Sequence, residues 1–155
     1  MLTNKDYCDY ETCVALKELG YKVPTSAYYI TNDTTLYFVS NPFRGGYAID
    51  CFYSHNSLRE GVVTSNYIDA PTMWETQKWL REEKKIFVDV IFQGVNDRGN
   101  YDYEWCVTYN AWFDDSEDYN ACRYERNTSK KYYRTYEEAL LEGIKEAIKI
   151  LKEEK

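Results

Sequence analysis

Near the C-terminus the apolar residues recur at helical spacing. Leu140, Ile144, Ala147, Ile148 and Leu151 fall on one stripe of an α-helix predicted from Thr135 to Lys152. Thr135 is a suitable N-cap, and Glu138, three residues on, supplies the second half of a capping box. Glu142 with Lys145 and Glu146 with Lys149 add ion pairs on the wet side. Ala139 and Gly143, one turn apart, leave a shallow flank on which another element can approach closely. An amphipathic helix of this kind needs an apolar surface to lie on, and the remaining pattern predicts what supplies it.

A first helix is predicted over Asp9–Leu19. Cys13, Leu16 and Leu19 form its apolar edge, Asp9 caps it, Gly20 stops it in a left-handed turn, and Pro24 prevents continuation. Two short runs, Ser26–Thr31 and Thr35–Val39, read as a hairpin around Asn32-Asp33-Thr34. Tyr47–Tyr53 alternates in part and reads as a further strand, and residues 54–69 form the longest irregular stretch. A second helix opens at Thr72, with Pro71 outside it and Glu75 completing a capping box. On that helix Trp74 and Trp79 lie ~140° apart, at ~100° per residue. Ile86–Phe92 is an almost continuous apolar run, as in a central strand, and Asn96–Asn100 is a turn. Tyr101–Phe113 alternates cleanly, with Tyr101, Tyr103, Trp105, Val107 and Tyr109 on one face. A last strand is predicted near Tyr119–Tyr124, followed by a basic loop, Arg126–Lys131.

The order helix, strands, helix, strands, helix, with local hairpins dominating, implies one α+β domain over 1–155. Its expected form is a mostly antiparallel sheet of five to six strands with three helices on one face. No window approaches a membrane span, and the N-terminus lacks a basic region followed by an apolar run. Five cysteines without regular spacing suit reduced thiols in a cytoplasm.

The net charge of −7 is uneven. Residues 1–88 hold 9 basic and 11 acidic groups and residues 126–155 hold 8 and 6, whereas residues 89–125 hold 2 and 9. A chain of this balance is a poor ligand for phosphate backbones, so nucleic acid is disfavoured as a partner. The acidic strip, centred on Asp114, Asp115, Glu117 and Asp118, offers a mimic of phosphates to a basic host protein.

Catalytic and metal chemistry find little support in the pattern. Cys51 and His55, with Asp50 adjacent, are the only local thiol and imidazole, but four residues of strand separate them by ~13 Å. The single histidine and the lone Cys8/Cys13 pair do not make a zinc site, and the acidic turn lacks the glycine and spacing of a calcium loop. No metal or cofactor is expected. The 17 tyrosines are the unusual feature. Tyr and Trp bury large areas with few rotors and are enriched at protein interfaces. Trp74, Trp79, Tyr101, Tyr103 and Trp112 are therefore the expected contact residues for a protein partner.

The segments APTMWETQKWLREEK (70–84), DYETCVALKELGY (9–21) and YEEALLEGIKEAIKIL (136–151) resemble a family of short uncharacterised proteins encoded by phages and prophages of gut Bacteroides-type bacteria. Met73 stands where that pattern usually has Leu, and Thr76 where it has Ala. The resemblance implies work inside a bacterial cytoplasm and brings no activity or site residues with it. The expected function is non-enzymatic binding of a host protein, a phage protein or a second copy. The acidic decoy is the alternative, and a small enzyme using Cys51 and His55 a third.

Overall fold

The computed structural model describes residues 3–31, 34–38, 67–113 and 122–153. The chain is α+β, with three α-helices and six antiparallel strands among these residues. They are α1 (Tyr10–Glu18), β1 (Ala27–Ile30), β2 (Leu36–Phe38), β3 (Tyr67–Asp69), α2 (Met73–Glu83), β4 (Phe87–Val95), β5 (Tyr101–Phe113), β6 (Cys122–Thr128) and α3 (Tyr136–Glu153). In place of the single sheet expected, the described strands form two three-stranded sheets, in the orders β2-β1-β3 and β4-β5-β6. By its internal contacts the chain divides into two compact units, Met1–Trp74 and Glu75–Lys155, with the division inside α2.

In the first unit, the ends of α1 are fixed as their residues dictate. The Asp9 carboxylate accepts the Thr12 N–H at 2.9 Å. At the other end Gly20, at φ 88°, donates to the Lys17 carbonyl, and Tyr21 N–H donates to Leu16. This pair of bonds is the Schellman arrangement, closed by the buried side chains of Leu16 and Tyr21. The helix lies against β3. Ala27 and Tyr29 of β1 point to the core, where the Tyr29 hydroxyl donates to the Cys8 carbonyl at 2.9 Å. On the other face Tyr28 stacks on its cross-strand partner Tyr37, with ring centroids 5.6 Å apart, and meets Tyr67 edge-on. Residues 67–69, expected to be irregular, pair with β1, because Ile68 is an apolar position that this core can bury. The strand predicted at Tyr47–Tyr53 lies outside the described residues.

In the second unit, α3 packs across β4 and β5. Its core face is wider than the predicted stripe: Ala139, Leu140, Gly143, Ile144, Ala147, Ile148 and Ile150 are buried, whereas Leu151 is only half-buried. Thr135 Oγ1 accepts the Glu138 N–H at 3.2 Å, as a cap should. The flank left by Gly143 is filled by the sheet. A Cβ there would lie 2.8 Å from Val88 Cγ1 and 3.0 Å from Trp105 Cβ.

Two assignments change. The apolar run at Ile86–Phe92 does not form a central strand among the described residues: there β5 is central and β4 is an edge. Gln77 of α2 donates its Nε2 to the Val88 carbonyl at 2.6 Å, so a helix side chain satisfies part of that edge. Arg126–Thr128, read as loop, continue β6. The β4–β5 hairpin is closed by Asn96, whose side-chain oxygen accepts the Arg98 and Asn100 N–H groups, with Gly99 at φ 75°. No helix among the described residues is long and apolar enough to cross a membrane.

Candidate functional site

Directly opposed residues of an antiparallel pair share a face. Across β4 and β5 those pairs include Val88 with Val107, Val90 with Trp105, Phe92 with Tyr103 and Val95 with Tyr101. Val88 and Trp105 lie under Gly143, so this is the face that α3 covers. The helix begins at Tyr136, however, and the strands run on past it. Tyr136 meets Tyr103 edge-on at 6.3 Å, and burial raises its hydroxyl above the ordinary range. Beyond this point Phe92, Val95 and Tyr101 are 53%, 56% and 57% exposed. The rings of Phe92, Tyr101 and Tyr103 form one cluster, with Phe92 5.6 Å from Tyr103 and 6.0 Å from Tyr101. The result is an aromatic shelf, a continuation of the core face that the described residues of this unit leave uncovered.

A bulge makes the shelf. The register slips between Phe92 and Gly94, and Gly94 takes φ 136°, open only to glycine at low cost. The extra residue reverses the alternation, so Val95 joins Phe92 on the helix-covered side instead of facing away.

A second concavity lies at the opposite side of β5. After β6 the chain stays beside β5: Ser129 N–H donates to the Trp105 carbonyl, and Tyr133 exchanges both backbone bonds with Tyr103. Residues 130–132 arch out between these anchor points. Below the arch is a cleft of about 570 Å³, lined by Trp105, Asn127, Lys130, Lys131, Tyr133 and Lys149 among others. Glu146, also on its wall, is held by Asn127 Nδ2 at 3.0 Å. Arg126 contributes to the rim, but its Nε donates to Cys106 Sγ at 2.7 Å. That thiol pairing raises the guanidinium pKa further.

The expected contact residues separate. Tyr101 and Tyr103 meet on the shelf. Trp74 is 47% exposed but belongs to the first unit. Trp79 must be withdrawn as a contact residue: it is 7% exposed, with Lys84 Nζ 4.9 Å above its ring, so a partner cannot reach it. Trp112 pairs with Arg123 through its backbone in β5. Asp114, Asp115, Glu117 and Asp118, and also Cys51 and His55, lie outside the described residues. Among those described, no three His, Cys, Asp or Glu side chains converge as metal ligands.

Phe92 and Val95 were missed at the sequence level. The run I-F-Q-G-V held the signal, since glycine inside a strand marks a bulge. The cleft could not be found by spacing, because Lys149 lies far along the chain from Lys130. Comparison of the chain with protein-family models, with curated proteins and with solved structures finds no match.

Proposed function

We propose that this chain is a non-enzymatic accessory protein that binds another protein through the aromatic shelf of β4 and β5. The observation that carries the reading is the continuity of Phe92, Val95, Tyr101 and Tyr103 with the buried face under α3. Such a surface has the composition of an interface centre: large side chains, few rotors, and rings already held by one another. Contiguous exposed apolar surface of this kind marks association sites more often than isolated apolar residues do. Its partner is expected to present a complementary apolar surface, and a second copy of the chain is one such partner. The resemblance to phage and prophage proteins supports a partner within a bacterial cell.

The test is a Phe92→Ser/Tyr101→Ser variant, which changes two exposed side chains. Light scattering over a concentration series first asks whether the parent self-associates and the variant does not. Capture from nuclease-treated bacterial lysate then compares ~100 mM and ~500 mM salt, a range that shortens the Debye length from ~10 Å to a few Å. A shelf partner is retained at both salts by the parent and lost by the variant, with affinity falling by ~30-fold or more if both rings are anchors. A partner held equally by the variant, or released by salt alone, overturns the proposal.

A further inference from the structure

The cleft beneath the 130–132 arch is a site of opposite character. We infer that it binds a small ligand bearing a polyphosphate group. Lys130 and Lys131 come from the arch and Lys149 from α3, and Glu146 is the one acid on the wall. Three positive groups less one negative leave a local charge of +2 in a chain whose net charge is −7. Arg126, also on the lining, keeps its positive charge while its Nε donates to Cys106, and brings the local sum to +3.

The neutral groups point the same way. Trp105 Nε1 donates to the Tyr133 hydroxyl oxygen at 3.3 Å. With that oxygen acting as acceptor, the Tyr133 O–H is left to donate, and an anion is its natural acceptor. Asn127 Nδ2 donates to the Glu146 carboxylate, which makes no ion pair with a lysine among the described residues. Lys130 has no ion-pair partner among the described residues, and the nearest acid to Lys149 is Glu153, at 4.0 Å. Lys131 Nζ stands 5.0 Å over the Tyr133 ring, which orders its charge above the cleft.

Size limits the ligand. A space of about 570 Å³ is in the range that holds nucleotide-sized molecules, and a single phosphate would leave most of it empty. Trp105 and Tyr133 give the wall an aromatic side against which a base can rest. The shared chemistry is a chain of phosphates on clustered lysines, and its source is either a nucleoside triphosphate or inorganic polyphosphate.

Isothermal titration of the full chain with ATP, with inorganic tripolyphosphate and with adenosine tests this. ATP is expected to bind at millimolar concentration or below, more weakly as salt rises from ~50 to ~500 mM. Lys130→Glu/Lys149→Glu is expected to weaken it by at least ~10-fold, and Lys130→Gln/Lys149→Gln by less. Lys5→Glu/Lys22→Glu, on exposed lysines of the first unit, leaves it unchanged. ATP tighter than tripolyphosphate identifies a nucleotide as the source, and equal affinity identifies the polyphosphate chain alone. Either result upholds the site. Failure of both to bind the parent at millimolar concentration overturns it, as does binding that survives both lysine pairs, or adenosine binding as tightly as ATP.

Discussion

Replacing Gly143 by alanine sets two effects of similar size against each other. In a helix interior alanine is favoured over glycine by ~0.8–1.0 kcal/mol. At this position, however, the new Cβ meets Val88 Cγ1 at 2.8 Å and Trp105 Cβ at 3.0 Å. Carbon atoms pack best at ~3.5–4.0 Å, so helix and sheet must part by several tenths of an ångström. Neither obstacle can swing aside easily. Trp105 Cβ is attached directly to the backbone of the central strand, and Val88 is β-branched, so its χ1 is restricted. Moving α3 instead would loosen Leu140, Ile144 and Ala147, all fully buried. Overpacking of this kind costs ~1–3 kcal/mol, and the rooted obstacles put it in the upper half of that range. Subtracting the propensity gain leaves Gly143→Ala destabilised by ~1–2 kcal/mol. Urea denaturation followed by far-ultraviolet circular dichroism measures it. Val88→Ala removes the nearer obstacle, so the double variant should show a favourable coupling of ~1 kcal/mol relative to the two single changes. A Gly143→Ala protein more stable than the parent by ~1 kcal/mol would refute the close approach and leave helix propensity as the only effect.

Two further outcomes concern the first unit. Burial pushes the Cys13 thiol and the Tyr29 hydroxyl well above their ordinary ranges, with nearby Cys8 and Asp9 adding to both shifts. Both groups stay protonated in the fold after the unfolded chain has begun to ionise, so their stabilisation is complete below the unfolded values, ~8.5 and ~10, and is lost as pH rises beyond them. Stability from urea titrations should fall by up to ~1.4 kcal/mol per pH unit for each group, and Tyr29→Phe should flatten the decline above pH ~10. Thr12 carries a buried hydroxyl with no hydrogen-bond partner among the described residues. Thr12→Val keeps the shape and removes that cost, and it should raise stability by ~1 kcal/mol in the same assay.

Where local chemistry decides structure, the residues were legible. Asp9 and Gly20 bound α1 because a carboxylate cap and a left-handed glycine act within a few residues of themselves. The stripe of α3 and the alternation of β5 were equally plain, because each follows one unbroken period. Legibility failed where tertiary structure chose between equals. Trp74 and Trp79 are alike in type and share one helix, yet one is 47% exposed and the other 7%, and nothing in their neighbours' identity separates them. The run Ile86–Phe92 implied burial on both faces, but β4 became an edge with Phe87 and Phe92 exposed.

That exposure is what the proposed function rests on. An apolar run fixes how much surface seeks cover, and the fold decides which part of it this chain covers itself. Here α3 starts at Tyr136, level with Tyr103, while β4 and β5 extend on to Val95 and Tyr101. Two residues of strand from Tyr103 to Tyr101 extend ~7 Å beyond the point where the helix begins. A bulge at Gly94 then turns Val95 to the face that α3 covers, at the end the helix does not reach, adding apolar area where solvent exposure makes it unfavourable. If stability alone governed this segment, an unbroken register that turned Val95 away and a polar residue at position 92 would serve better. The bulge and the exposed ring both work against the isolated chain, and both fit the proposal that a partner covers the shelf.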